Sequence, residues 1–71
     1  MKYTFTAVIM REDKFYVAHC PELGVTSQGL TLEESLENLK EAVTLYLREE
    51  PPEELSIPIM PPLVTTIEVA V

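Results

Sequence analysis

The chain has 71 residues, and its length, composition and charge exclude several classes of protein. One cysteine and one histidine form neither an internal disulfide nor the usual four-ligand structural zinc site. A hydrophobic content of 46% excludes a disordered chain, and a net charge of −7 disfavours direct binding of nucleic acid, which depends on basic contacts to phosphate. We therefore predict one globular domain over residues 1–71 that gains stability by forming a homo-oligomer, a dimer or larger.

The N-terminal residues argue against export and membrane insertion. Residues 1–10, MKYTFTAVIM, alternate polar and apolar side chains and lack the small-residue cleavage site of a signal peptide. The apolar runs of the sequence are all much shorter than the about 20 residues that span a bilayer. The sequence therefore predicts a cytoplasmic protein without a membrane partner.

Residues 2–29 have the pattern of three successive strands. Residues 2–10 alternate strictly between apolar and polar side chains, which predicts the first strand. The charged residues 11–14 predict a type I hairpin turn. FYVAHC at 15–20 predicts a second strand, which Pro21 ends, and GVTSQG at 24–29 predicts a third. Because short turns join these strands, we expect an antiparallel meander.

Residues 31–50 change to a helical period. Thr31 and Glu34 have the spacing of a capping box, in which each side chain binds the other residue's backbone N–H. Pro51 and Pro52 are expected to end the helix. The apolar positions predicted to pack inward are Leu32, Leu36, Leu39, Val43 and Tyr46, with Leu47 flanking them.

After a proline-rich loop, residues 63–71, LVTTIEVAV, predict a last strand. The element order is then β-β-β-α-β, and the fold class is α+β. We expect the last strand to lie beside the first one, with a single helix covering one face of the sheet. The last strand is also the predicted contact for self-association, because Glu68 is its only charge.

Residues 19–29, HCPELGVTSQG, place a histidine, a cysteine, a carboxylate and a serine close together in the sequence. Neighbouring residues of a strand face opposite sides, so His19 and Cys20 are badly placed to act as base and nucleophile. Pro21 and Gly24 are typical turn residues. We therefore interpret the segment as structural and predict no enzyme activity, and no catalytic, cofactor or metal site.

Residues 20–42, CPELGVTSQGLTLEESLENLKEA, resemble the HicB family of antitoxins from bacterial and archaeal toxin–antitoxin systems. The shared features are a proline–acid–leucine turn with glycine, a short strand ending in a Gln-Gly pair, and a Thr-capped helix beginning T-x-E-E. In this chain these features are Pro21, Glu22, Leu23, Gly24, Gln28, Gly29, Thr31, Glu33 and Glu34. The preceding hairpin also fits, so the resemblance spans roughly residues 3–50.

The resemblance implies a partial RNase H-like fold that has lost nuclease function. It also implies a partner, a HicA-type toxin, which is a small basic protein with a double-stranded-RNA-binding-like fold that cleaves messenger RNA. Such antitoxins neutralise the toxin by blocking its active-site histidine or its RNA surface. Many members add a C-terminal DNA-binding domain, and 71 residues leave no room for one. We therefore expect no repression of transcription by this chain.

The distribution of charge independently points to a basic partner. Eight glutamates lie within residues 33–54, a stretch that holds only two basic residues, Lys40 and Arg48. Glu33, Glu37 and Glu41 recur every four residues, which predicts an outward stripe that attracts a basic protein. Two alternatives stay open. The stripe serves solubility alone, or the chain is an orphan homo-oligomeric adaptor that binds another protein and has no toxin partner.

Overall fold

The structure, a computed structural model, describes residues 3–50 and 62–71. It contains three strands, β1 (Val8–Glu12), β2 (Phe15–Cys20) and β3 (Val25–Gly29), followed by the helix α1 (Leu32–Glu49). The strands form an antiparallel sheet in the order β1-β2-β3, and α1 packs mainly against β3 and β2. This arrangement confirms the predicted α+β fold with a three-stranded meander and one helix on the sheet.

Strand β1 begins later than the alternation of residues 2–10 predicted. Val8 pairs with His19 in an antiparallel register, and continuing that register by two residues would place Thr6 opposite Pro21. Proline has no N–H to donate, so β2 ends at Cys20, and residues 3–7 have no strand partner. The N-terminal limit of β1 is therefore set by a proline in a different part of the chain.

The turn between β1 and β2 differs from the predicted type I turn over residues 11–14. Glu12 pairs with Phe15, so only Asp13 and Lys14 form the loop. Asp13 has a φ of 54°, which lies in the left-handed region. Two-residue hairpin loops need a positive φ at their first position, because only the mirror-image turns match the twist of the flanking strands. Aspartate tolerates this conformation better than most residues.

The N-terminus of α1 confirms Thr31 as the capping residue, but only half of the predicted capping box is present. Thr31 Oγ1 accepts a hydrogen bond of 3.0 Å from the backbone N–H of Glu34. The Glu34 carboxylate accepts a bond of 3.3 Å from the N–H of Leu30, not from that of Thr31. The Glu34 side chain is therefore bonded to the loop before α1, and it does not share the outward position predicted for Glu33.

The core forms between β2 and one side of α1. Its buried residues are Ala18 and Cys20, both fully buried, together with Leu39 and Val43. Ser35 is also fully buried, so the inward positions of the helix are 35, 39 and 43, with 47 half-buried. The prediction that Leu32 and Leu36 pack inward is wrong, since both side chains are exposed. Compared with the predicted orientation, the helix is rotated about its axis so that Ser35, a small residue, faces the end of β3.

The predicted last strand is not part of the sheet. Residues 63–71 have no strand pairing and are exposed throughout, with Leu63 91% and Ile67 84% exposed. The prediction that this segment lies beside the first strand is therefore wrong for the single chain. Alternation shows that a strand has one face to bury, but it does not specify which edge will pair with it. The predicted proline-rich loop lies, apart from its last residue, outside the described residues.

Candidate partner-binding surface

The acidic stripe, formed by Glu33, Glu37 and Glu41, lies along the exposed side of α1. All three side chains are exposed, as the helical period predicted, and successive members are one helical turn apart. Their role in binding a partner stays a prediction.

Two basic residues modify the charge of this stripe. Lys40 and Arg48 share with Glu37 and Glu41 a shallow depression of about 370 Å³ on the outer side of α1. Opposite charges within one or two helical turns lower the local negative potential. Glu33, in the first turn, is the carboxylate of the stripe that lies farthest along the helix from both basic residues.

Glu22 joins the turn after β2 to the residues before β1. Its two carboxylate oxygens accept hydrogen bonds of 3.0 and 2.9 Å from the backbone N–H of Thr6, and the Thr6 hydroxyl donates a further bond of 2.9 Å. The Cys20 thiol donates to the same carboxylate at 3.6 Å. Because the chain turns after Cys20, no strand residue pairs with Thr6, and the Glu22 side chain supplies the acceptor for its N–H. Glu22 thus positions the N-terminal residues beside the core.

The acidity of Glu22 follows from these contacts. Partial burial opposes ionisation, but the backbone N–H groups of Glu22 and Thr6, the Thr6 hydroxyl and the Cys20 thiol favour the carboxylate, and the net effect lowers the pKa of Glu22. Burial raises the pKa of the Cys20 thiol, and the nearby charge of Glu22 adds to this increase. Both shifts favour a charged Glu22 and a neutral Cys20.

The turn between β2 and β3 places Glu22 where it can reach Thr6. The backbone N–H of Gly24 donates to the carbonyl of Cys20 at 2.8 Å, and this closes the turn. Gly24 has a φ of 70°, a conformation that glycine adopts without the steric cost of a side chain. Leu23 packs against the core from the same turn. The motif from Pro21 to Gly24 is therefore a structural unit.

His19 and Cys20 are on opposite faces of the sheet, as predicted. Cys20 is fully buried, whereas His19 is half-buried and its Nδ1 is joined to Thr26 Oγ1 by a hydrogen bond of 2.7 Å across β2 and β3. Neither residue is placed to activate the other.

The end of β3 packs directly on the first turns of α1. A Cβ atom on Gly29 would lie 2.6 Å from the backbone nitrogen of Ser35, so only glycine permits this approach. The Ser35 hydroxyl donates to the Leu32 carbonyl at 2.7 Å. Asn38 Nδ2 donates to the carbonyl of Gln28 at 2.8 Å, which links the helix to the strand beside it. The Gln28-Gly29 pair is therefore the point where α1 is attached to the sheet.

Three structural residues of these contacts were missed by sequence reasoning: Thr6, Ser35 and Asn38. Ser35 lies four residues before Leu39, and a small residue in an inward position signals a close approach of backbones. Asn38 is unfavourable in the middle of a helix unless its amide finds a partner. For Thr6 the sequence carries no comparable signal, because its partner lies 16 residues away.

A groove separates the residues before β1 from α1, and we refer to it as the β1–α1 groove. Tyr3, Phe5 and Ala7 line one wall. Leu36, Val43 and Leu47 line the other, and Lys40 lies with them along the groove. The volume of the groove is about 520 Å³, and it is open to solvent. Of the residues in the three strands, only Cys20 of β2 contributes to its lining.

Residues 3–50 and 62–71 contain no cluster of three or more His, Cys, Asp and Glu side chains that could hold a metal ion. Within the same residues, α1 lacks the apolar length that crossing a membrane requires.

Comparison with known proteins identifies two relatives. The chain is 45% identical over 51 residues to a "UPF0150 protein" of Helicobacter pylori, an alignment that covers 70% of this chain and 71% of the relative. It is also 45% identical over 47 residues to a "UPF0150 protein" of Synechocystis, covering 63% of this chain and 60% of the relative. No family model matches the chain. No solved structure matches it either.

Proposed function

The chain belongs to the UPF0150 family, and on that premise we propose that it is a HicB-like antitoxin. Its partner would be a small basic toxin of the HicA type that cleaves messenger RNA. The observation that carries this proposal is the exposed acidic stripe on α1, in a chain with a net charge of −7. Most residues that carry the HicB resemblance are turn and junction residues that hold the fold, and of them only Glu33 belongs to the proposed binding surface.

The proposed mechanism is electrostatic attraction followed by occlusion of the toxin's RNA surface. A protein that binds RNA carries basic groups for phosphate, and an acidic surface of complementary charge increases its rate of encounter. Glu33, Glu37 and Glu41 are directed to solvent on a rigid helix that is anchored to β3 through Asn38. The stripe therefore requires no rearrangement before it meets a basic surface.

The experiment is to measure the association rate with the small basic protein encoded beside this gene, at increasing salt concentration. The variant is the triple substitution Glu33→Lys, Glu37→Lys and Glu41→Lys. The control is Glu12→Lys, Glu49→Lys and Glu50→Lys, which changes the net charge equally at exposed positions away from the stripe. We expect a wild-type rate that falls as salt rises, and a rate about tenfold lower for the stripe variant than for the control at low salt.

Equal rates for the two triple variants would show that total charge, and not the stripe, controls association. A gene without a small basic neighbour, or a neighbour that does not bind, would contradict the antitoxin proposal itself.

We also propose that the chain has no catalytic role and acts in the cytoplasm, where messenger RNA is cleaved. The proposal that the chain has no catalytic role is supported by the burial of Cys20 and by the position of His19 on the opposite face of the sheet. Incubation with RNA or DNA and magnesium or manganese should leave both intact. Cleavage that is lost on replacing a carboxylate would contradict the proposal.

A second candidate function is a homo-oligomeric adaptor that binds a protein other than a toxin. The observation that favours it is the exposed apolar segment 63–71, since monomers rarely expose contiguous apolar surface without a partner. A chain that self-associates but binds no basic neighbour would favour this function. Self-association itself is compatible with both candidates, and we propose it for either one.

A further inference from the structure

Within residues 3–50 and 62–71, two apolar surfaces are exposed to solvent. One is the β1–α1 groove, which is lined by aromatic and aliphatic side chains and open to solvent. The other is the segment 63–71, in which Leu63, Val64, Ile67, Val69 and Val71 are all exposed. Burial of apolar surface is the main source of stability in a small protein, so both surfaces would gain from contact.

The segment has the pattern of a strand with one apolar face. Positions 63, 67, 69 and 71 are leucine, isoleucine and valine, and they share a face with Thr65. The opposite face carries Val64, Thr66, Glu68 and Ala70 and is more polar. Such a strand is expected to lie with one face on a hydrophobic surface and the other in water.

The groove has the dimensions of such a strand. Leu36 and Leu47 are 11 positions apart in α1, which corresponds to about 16 Å along the helix axis. Five residues of an extended strand cover about the same length, roughly 17 Å. Among the described residues β1 pairs with β2 alone, so the strand that continues from the groove-lining residues 3–7 has a free edge at which an added strand would find backbone groups.

Each surface carries one charge of a sign opposite to the other, Lys40 in the groove and Glu68 in the segment, although Glu37 also lines the groove. Glu68 is the only charged residue of the segment. Lys40 lies along the groove and is exposed, so it is placed to approach a carboxylate on the outer face of a bound strand. A partly exposed pair of this kind contributes little affinity, but it favours one register over others.

We propose that the β1–α1 groove of one molecule binds residues 63–71 of a second molecule, and that the exchange is reciprocal. Each molecule offers one groove and one segment, so two molecules fill both grooves and form a closed two-fold dimer. This inference rests on the self-association proposed above and does not depend on toxin binding. In this dimer the apolar face of the segment lies in the groove of the other molecule.

The first test measures each variant protein separately by sedimentation equilibrium at micromolar concentration. The segment variant is Ile67→Asp with Val69→Asp, and its control is Thr66→Asp with Ala70→Asp on the opposite face. The groove variant is Leu36→Asp, and its control is Leu45→Asp on the outer side of α1, a leucine that is 52% exposed against 39% for Leu36. We expect the wild type and both controls to be dimers. The dimer dissociation constants of the segment and groove variants should be about 100-fold higher than that of the wild type.

The second test mixes the segment variant with the groove variant. The groove variant still has an intact segment, and the segment variant still has an intact groove, so the mixture restores one of the two contacts. We expect a heterodimer that is weaker than the wild-type dimer but forms at concentrations at which each variant alone is monomeric. Circular dichroism checks that α1 is intact in every variant. Serine substitutions at the same positions repeat the test if aspartate unfolds the chain.

Three results would overturn the proposal. Dimers that survive both the segment and the groove substitutions would place self-association at another surface. A dimeric wild type with a mixture in which the variants do not associate would show that the segment and the groove do not contact each other between molecules. A monomeric wild type would contradict self-association as well, but it would leave toxin binding untouched, because that is measured separately through the acidic stripe.

Discussion

The two long sides of α1 differ in how they are covered. On the side of β3, the helix and the strand approach so closely that a Cβ atom on Gly29 would lie 2.6 Å from Ser35 N, and Asn38 binds the carbonyl of Gln28. On the side of β1, Leu36 is 39% exposed and faces an open groove. On the β3 side the helix and the strand are in backbone contact, whereas on the β1 side the helix faces an open groove lined by side chains.

This difference follows from the connections in the chain. Only Leu30 and Thr31 separate β3 from α1, so the two elements must meet, and a glycine and a serine allow them to meet closely. The residues before β1 belong to the edge of the sheet opposite β3, and the Glu22 carboxylate holds them through hydrogen bonds to Thr6. A short connection therefore closes one side of the helix, while the other side remains available for a further strand.

The closed side should be most sensitive to Gly29→Ala. The added methyl group would collide with the backbone of α1, which cannot move without separating from β3, so we expect a loss of about 3 kcal/mol in the free energy of unfolding. Urea denaturation measures this loss. Gly24→Ala is the matched control, because its Cβ would meet no atom within 4 Å and only its φ of 70° is unfavourable. That variant should lose about 1 kcal/mol. Equal losses would contradict the close packing at Gly29.

The open side should depend on Glu22. Glu22→Gln removes the charge that accepts bonds from Thr6, so we expect a loss of about 1–2 kcal/mol at neutral pH, measured by urea denaturation. Glu12→Gln, at an exposed position of β1, is the control and should change stability by less than about 0.5 kcal/mol.

The pH dependence of the Glu22 contribution has a defined sign. The pKa of Glu22 is lowered by folding, so its carboxylate stabilises the native state above its ordinary pKa of 4.5. This stabilisation is lost as the pH falls below 4.5 and through the lower folded pKa. The difference in stability between wild type and Glu22→Gln should therefore be constant near neutral pH and shrink in acid. A difference that stays the same at pH 3 would contradict the role of the charge.

The smallest effect is expected for Asn38→Ala. The variant loses the hydrogen bond to Gln28 but gains helix propensity, which leaves a net loss of about 0.5–1 kcal/mol. Thr44→Ala is the control, since the Thr44 hydroxyl bonds only within α1, to the carbonyl of Lys40. That substitution should be neutral or slightly stabilising in urea denaturation. A similar loss in both variants would mean that Asn38 contributes nothing between helix and strand.

Sequence reasoning was most successful where structure depends on neighbouring residues. The helix and its cap at Thr31 were predicted from a periodic pattern and a capping residue, and both are local properties. The strands β2 and β3 were predicted within one residue, because Pro21 and the flanking glycines mark their ends. The outward direction of Glu33, Glu37 and Glu41 followed from the same helical period.

The errors occurred where a residue's environment depends on distant parts of the chain. The start of β1 depends on the end of β2 at Cys20 and the turn that follows it, and the rotation of α1 depends on the fit of Ser35 against Gly29. Residues 63–71 have the alternation of a strand but no partner in the single chain. A pattern of apolar residues shows that a face must be buried, but it does not show against what.

The sequence by itself determined the first three strands and the helix, their order, the helix cap and the acidic side of α1, since each depends on interactions over a few residues. Only the tertiary structure decided that Glu22 binds Thr6 across 16 positions, that α1 closes against β3, and that a groove stays open beside β1. These features depend on which surfaces meet, and that is set by chain connection and by the space that each side chain leaves to its neighbours.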